Sequence, residues 1–419
     1  MARRALILVE GHRSIGLLYV KAAQRLGLYP ITLSADPTQH DYLTAEAIRV
    51  DTDNLDALIH ECSRLRATYD IAGITGFSGL DESVYATVGE LCRYFDLPGP
   101  NPASIERCYD KFTQRELLAE AGVPIPAYRL ATNATDVENS AAEIGLPMIV
   151  KPAVGSGSSG VRLCRTLDEL AEHSTFLLDG KHIWRSAPKI LTEEFAQGPF
   201  YSANIMGNEV IAIGAADFGP PPHFVFHETI FPAPLTDDEY EHIADISLCC
   251  LQALGLSWGP TSIEFRWTKR GPVVIEVNPR LAGGASPRLV QLSYGVNLIT
   301  EHIKLVIGEE WDLRRRHSNT AAVRHLIPDC DGTLDWIDGG DRAAAVPGIA
   351  DVKFHIQPKT PIVRRGDYTD SLGYVIAASP SLARTQEILQ HAVGLIGWSI
   401  TPFSTLNEQE QGAADYLPD

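Results

Sequence analysis

Two strongly apolar runs joined by a short polar turn constrain this chain more than any other feature. Residues 261–267 read T-S-I-E-F-R-W and residues 273–278 read V-V-I-E-V-N, on either side of Lys269-Arg270-Gly271. A three-residue connection with glycine last is a common hairpin turn. With Thr268 and Pro272 flanking that turn, Glu264 falls opposite Glu276, and Ser262 opposite Asn278 on the same face. Facing carboxylates repel, and a divalent cation between them removes the cost. A site with oxygen ligands alone suits Mg²⁺ or Mn²⁺, the ions that accompany polyphosphates. The other reading is a solvated face with two exposed glutamates, against which Ile263, Val274, Ile275 and Val277 count, because they make both runs thoroughly apolar. Arg280 follows at once, able to clamp a phosphate or carboxylate in two places. In the next segment, L-A-G-G, Gly283 and Gly284 offer close backbone donors.

A second feature lies upstream. Residues 151–160 read K-P-A-V-G-S-G-S-S-G. Gly155, Gly157 and Gly160 satisfy G-x-G-x-x-G, but the dinucleotide version needs a strand before the loop and a helix after it. Here residues 147–151 read as a strand and residues 161–165 as another, and the Lys-Ser/Thr ending of a P-loop is missing. Strand–loop–strand is a flap. Its bare glycine N–H groups and the hydroxyls of Ser156, Ser158 and Ser159 can approach phosphate oxygens closely, and Lys151 adds charge. A long mobile hairpin with an exposed lysine is the alternative.

The 419 residues exceed one ordinary core, so two to four domains are expected. A net charge of −18 argues against nucleic acid or an anionic membrane as partner, so a polyphosphate must be met by local cations. No apolar run approaches the ~20 residues that span a bilayer. The apolar core of the first residues is only 5–9, which suits a buried strand better than a signal peptide. The seven cysteines show no C-x-x-C, which points to a reducing cytoplasm, and the adjacent Cys249 and Cys250 are expected to pack in a core.

Strand and helix patterns alternate through the first hundred residues: strands at 5–9, 31–35, 48–51 and 71–75, helices at 14–26 and 82–95. That is a Rossmann-like parallel unit. G-H-R-S-I-G (11–16) reads as a ligand loop or a tight strand-to-helix turn. Asn101-Pro102 caps a helix pair that ends before Gly122. Residues 237–254 read as a helix. After residue 319 the texture turns to short strands at 322–327, 352–356 and 374–378, with a last helix at 381–395, a small α+β cap. The expected division is 1–108 (Rossmann-like), 109–127 (helical linker), 128–197 (lid), 198–318 (core with the hairpin) and 319–419 (cap), with the last dozen residues unstructured.

Together these motifs resemble the ATP-grasp superfamily, and within it the amino-acid ligases that make dipeptides or related amides. The resemblance covers nearly the whole chain. It implies an α/β and α+β multidomain fold with an N-terminal Rossmann-like domain, a mobile lid and a C-terminal cap. Lys111 in Y-D-K-F-T matches the first ATP lysine and Lys151 the second. Glu193, Glu194 and the Phe195 backbone, in L-T-E-E-F, match the adenine hinge; Glu264, Glu276 and Asn278 match the metal ligands; E-V-N-P-R-L-A-G-G carries the arginine, Arg280. The implied cofactors are ATP and Mg²⁺ or Mn²⁺, with two ions. The chain departs from the family at Phe200, where an acid that binds ribose is expected, and at Ser262, where many members carry histidine. His227, in F-H-E-T-I-F-P-A-P-L, resembles a histidine near the substrate, or is simply a strand-end histidine. Arg288 suits the substrate carboxylate that does not react, or a surface ion pair.

The resemblance implies two steps, a carboxylate attacking the γ-phosphate of MgATP and an amine attacking the resulting acyl-phosphate. Lys111, Lys151, the metals and Arg280 would neutralise the moving charge. Expected partners are amino-acid or other carboxylic-acid substrates and a second copy of the chain, and the expected location is cytoplasmic. The rival readings are a carboxylase of the biotin carboxylase or purine-pathway type, which activates bicarbonate, and a silent nucleotide-binding protein. The complete Glu264, Glu276, Asn278 set argues against the latter.

Overall fold

The computed structural model describes residues 2–12, 15–40, 42–43, 46–77, 83–178 and 188–403. The expected helix starts at Ser14 and Glu82, part of the 11–16 turn, and the expected unstructured tail lie outside the described residues.

Arg3–Val9 sits inside a four-stranded parallel sheet, in the order Glu46–Arg49, Tyr29–Ser34, Arg3–Val9, Tyr69–Gly76. Ala5 to Val9 are all buried, as a parallel strand covered on both faces must be. The alternation divides them. Ala5, Ile7 and Val9 pack with Leu58, Leu65 and Leu91 of the domain's own helices. Leu6 and Leu8 share a cluster with Ile299 and Ile303 and so dock this sheet onto the rest of the molecule.

Residues 128–194 hold an antiparallel sheet in the order Tyr128–Ala131, Ile190–Glu194, Met148–Pro152, Arg162–Cys164, the segment expected to be the lid. Val137 and Leu170 from its two helices meet Met148 and Val150.

The central sheet has eight strands: Gly271–Asn278, Pro260–Thr268, Phe200–Met206, Glu209–Phe218, Phe226–Phe231, Thr320–Leu326, Gly373–Ser379 and Ile349–Phe354. Its back face buries Ile205, Ile213, Ile263, Phe265 and Val274 against Ile243, Cys250 and Leu254. The last three belong to the helix Asp237–Leu254, which begins with a reciprocal Thr236/Glu239 cap and stops at Gly255 in the left-handed conformation, φ +70°. Cys249 on that helix is exposed, contrary to its expected core role; only Cys250 reaches the core.

Three strands from beyond residue 319 complete the central sheet, while Pro361–Ile362, Gly332–Asp338 and Gly397–Thr401 form a small sheet of their own. The bridge is Thr320–Leu326 pairing with Phe226–Phe231, Glu228 opposite Arg324, a contact across nearly a hundred residues that no local pattern announces. Among the described residues no helix is long and apolar enough to cross a membrane.

Candidate active site

The hairpin pairs Glu264 with Glu276 and Ser262 with Asn278. The turn is tighter than its spacing suggests. Thr268 pairs with Gly271, leaving Lys269 and Arg270 as a two-residue turn, and a bulge beside Phe265 restores the register. Gly271 takes φ +97°, which a side chain would resist. The bulge leaves Ile275 unpaired, and its carbonyl accepts from Arg115.

Burial and the facing Glu276 carboxylate push Glu264 up to about 7. Burial would raise Glu276 as well, but Lys111 and then Lys151 hold it below the usual carboxylate range. The Lys111 ammonium lies 2.8 Å from Glu276 Oε1 and also donates to the Gly155 carbonyl of the flap. Among the described residues there is no cluster of three or more His, Cys, Asp or Glu that could hold a metal. Two carboxylates and the Asn278 amide oxygen on paired strands nevertheless fit Mg²⁺, which completes its shell with phosphate and water oxygens. A cation there would relieve the Glu264–Glu276 repulsion that now forces one carboxyl up.

Lys111 opens the helix Lys111–Glu120, capped by Asp110, whose side chain accepts from the Phe112 and Thr113 amides. That helix is riveted to the strand Gly271–Asn278. Gln114 donates to the Val277 carbonyl at 2.9 Å and accepts from the Val277 amide at 2.8 Å. Arg115, fully buried, places Nε 2.6 Å from Glu193 Oε1. The other Glu193 oxygen lies 2.5 Å from Lys151 Nζ. Burial alone would raise Glu193; Arg115 and Lys151 reverse that and hold it low. Burial lowers Lys151, with Glu193 opposing. One chain of charges thus joins the helix Lys111–Glu120, the sheet of residues 128–194 and the strand Gly271–Asn278.

The flap is held over this network. Gly157 has φ +65°, and a Cβ there would come within 2.3 Å of the Tyr368 ring. The Tyr368 amide donates to the Gly157 carbonyl at 3.2 Å, and Leu163 donates to Pro222 at 2.9 Å. The flap therefore touches the C-terminal region, and the strand that follows it, Arg162–Cys164, touches the loop between the central strands Glu209–Phe218 and Phe226–Phe231.

One cavity unites most of the expected residues: Lys111, Lys151, Gly155, Ser156, Gly157, Ser158, Ser159, Glu193, Glu194, Phe195, Glu264, Glu276, Asn278 and Arg280 all line it. Arg280 Nη2 lies 3.4 Å from Asn278 Oδ1. Glu194 faces outward to Arg270, 2.8 Å away. Gly160, His227, Gly283, Gly284 and Arg288 do not line the cavity. The Gly160 carbonyl faces a ring nitrogen of His173 at 2.9 Å. Gly283 and Gly284 are exposed. Arg288 donates to Gln291 at 3.0 Å and lies beside Tyr374. His227 follows Phe226, which does line the cavity.

Several residues at the site escaped the sequence reading. Arg115 and Gln114 had a signal, since they lie four and three residues after Lys111 on one helix face. Arg266 had one too, two residues past Glu264 on the same strand face. It lies in the cavity among Phe200, Phe218 and Phe224. His325 and Tyr374, with ring centroids 6.4 Å apart, had none. Register places them. The paired row Arg266, Phe200, Ala216, Thr229, Val323 crosses the central sheet, and His325 lies two residues beyond Val323, hence on the face that carries Arg266 and Glu264. Burial and the neighbouring His227 push His325 down to about 4.

Residues 110–314 match the family model "Carbamoyl-phosphate synthase L chain, ATP binding domain", and residues 324–401 match "L-amino acid ligase C-terminal domain 2". A relative from Sinorhizobium fredii, described as "Uncharacterized protein y4rH", is 60% identical over 420 residues, covering all of this chain and 87% of its own. Human carnosine synthase 1 is 28% identical over 254 residues, 55% of this chain and 30% of the relative. The crystal structure of an L-amino acid ligase from Bacillus licheniformis superposes with a TM-score of 0.81 at 19% identity, over 96% of this chain and all of that one, a likeness of fold. The chain belongs to the ATP-grasp superfamily, in its L-amino-acid-ligase type. It is an ATP-grasp enzyme of the ligase and carboxylase group, acting through acyl-phosphate-type chemistry.

Proposed function

We propose that the protein is an ATP-dependent carboxylate–amine ligase, joining an amino acid or similar carboxylic acid to the amino group of an amino acid. A carboxylate oxygen attacks the γ-phosphorus of ATP and ADP leaves. The amine nitrogen then attacks the acyl carbon, inorganic phosphate leaves, and the nitrogen gives up a proton. Glu264, Glu276 and Asn278 would hold the magnesium, which supplies charge neutralisation along the polyphosphate. Lys111 and Lys151 meet the phosphates. Arg280, next to the metal ligands, steadies the transferring phosphoryl group and the acid under activation. The flap, Gly155 to Gly160, excludes water that would hydrolyse the acyl-phosphate. The Phe195 backbone forms the base hinge, while its acidic neighbours Glu193 and Glu194 are engaged by Arg115, Lys151 and Arg270.

One observation carries this reading over its rivals: residues 324–401 match an amino-acid-ligase domain, and strands from that segment extend the central sheet, with His325 on the face that carries Glu264. There His325 and Tyr374 join His227 and Arg288 as a polar group suited to an amino acid, with Arg288 as partner for a carboxylate that stays charged. Resemblance to carnosine synthase over the shared segment points the same way. The test is product analysis with pairs of amino acids. ADP, phosphate and an amide should appear only when acid and amine are both present. AMP and pyrophosphate would sink the proposal. The match over residues 110–314 supports a bicarbonate-activating alternative, which bicarbonate-stimulated ADP release without any amino acid would favour.

A further inference from the structure

We propose that the nucleoside end of the cavity grips base and sugar by ring contact and leaves the sugar hydroxyls unread, so that the protein accepts 2′-deoxy-ATP as readily as ATP. The proposal rests on the ATP reading above and deepens it.

A carboxylate is the side chain best suited to a vicinal diol, offering two acceptors to two donors. Among the described residues the cavity is lined by four: Glu193, Glu194, Glu264 and Glu276. Each is committed elsewhere. Glu193 has one oxygen on Arg115 and the other on Lys151. Both Glu194 oxygens lie 2.8 Å from Arg270 Nη2, and one also accepts from the Ala127 amide. Glu264 and Glu276 face each other beside Lys111 at the phosphate end. The flap serines belong to that end too, because Lys111 ties Gly155 to Glu276.

What remains beside aliphatic and proline side chains such as Ile149 and Pro126 is Phe195, Phe200, Phe218, Phe224, Phe226 and Arg266. Phe200 is 5% exposed and pairs with Arg266 across the strands. Its ring centroid lies 5.0 Å from Phe218 and 5.9 Å from Phe226. The Arg266 guanidinium carbon lies 5.3, 4.9 and 5.9 Å from the Phe200, Phe218 and Phe224 ring centres, and its Nη1 donates to the Gly198 carbonyl at 2.9 Å. The cation is occupied in bracing the aromatic wall. Rings of this kind stack on any flat base and offer a sugar no acceptor.

Equilibrium binding of MgATP and of magnesium 2′-deoxy-ATP to the whole protein, without acid or amine, tests this independently of turnover. Dissociation constants within about threefold of each other are expected. ATP binding tenfold tighter or more, about 1.4 kcal/mol, overturns the proposal and leaves the ATP reading standing. Failure of both nucleotides to bind overturns the ATP reading and this proposal with it. Phe200→Leu should weaken both nucleotides by the same factor, whereas a selective loss for ATP would show that Phe200 bears on hydroxyl recognition and would also overturn it. Should that variant not fold, the wild-type comparison decides alone.

Discussion

At one end of the cavity Lys111, Lys151 and Arg280, backed by buried Arg115, meet Glu193, Glu264 and Glu276; at the other, five phenylalanines line the wall and three of them lie around a single guanidinium. Both ends are largely shielded from water, yet they should respond differently to change. In the phosphate end Lys111 is paired with Glu276, and Arg115 and Lys151 with Glu193, so removing one strands its partner. Contributions there are coupled and do not add. In the nucleoside end the contacts are dispersive and ring-to-cation, each modest, so losses should be graded. The contrast also explains how a chain of net charge −18 can attract a polyphosphate. The cations are gathered at one point, inside the fold, with no basic surface needed.

The harshest test of the contrast is Glu276→Ala. It removes a metal ligand and the partner of Lys111, and kcat should fall at least a thousandfold, about 4 kcal/mol, in a phosphate-release assay. Activity within tenfold of wild type at ordinary Mg²⁺ would remove the metal from this end. Arg115→Met touches no proposed reactant but leaves Glu193 buried with Lys151 alone. Stability should drop by about 3 kcal/mol, read from the urea midpoint. A loss below ~1 kcal/mol would mean that the network is not interlocked. Arg280→Lys keeps the charge but loses the planar fork. It should cut kcat about tenfold, ~1.4 kcal/mol, with little change in KM for the amine; a kcat within a factor of two refutes the role. Phe218→Leu should have the smallest effect, raising the dissociation constant for ATP about threefold, well under 1 kcal/mol, with kcat unchanged. A hundredfold loss there would make the two ends alike after all.

The hairpin with its facing glutamates is legible in the sequence because its chemistry is local. Two apolar runs with glutamates at mirrored distances from a turn can pair in few ways, and a shift by one residue would expose the core set. Even so, the turn was misjudged by one residue, and the bulge at Ile275 compensated. The flap was legible because glycine and serine between two strands leave little else to build. Lys111, Glu193 and Glu194 were reached through family likeness; their spacing alone did not point to them. That Glu193 spends its carboxylate on Arg115 and Lys151, while Glu194 turns outward to Arg270, follows from which way each faces on the strand Ile190–Glu194.

The amino-acid sequence by itself determined the local pieces: the parallel N-terminal unit, the capped helix before the lid, the flap, and the hairpin with its facing glutamates. Each is set by periodicity, turn residues and side-chain chemistry within a few tens of residues. Tertiary structure alone decided which pieces share a site. It brought Thr320–Leu326 beside Phe226–Phe231, set Arg115 between the strands Ile190–Glu194 and Gly271–Asn278, and laid Tyr368 against Gly157. Those contacts span long stretches of chain and depend on how whole sheets stack. Burial of apolar faces drives that stacking without being directional, so the polar partners it delivers cannot be read from spacing.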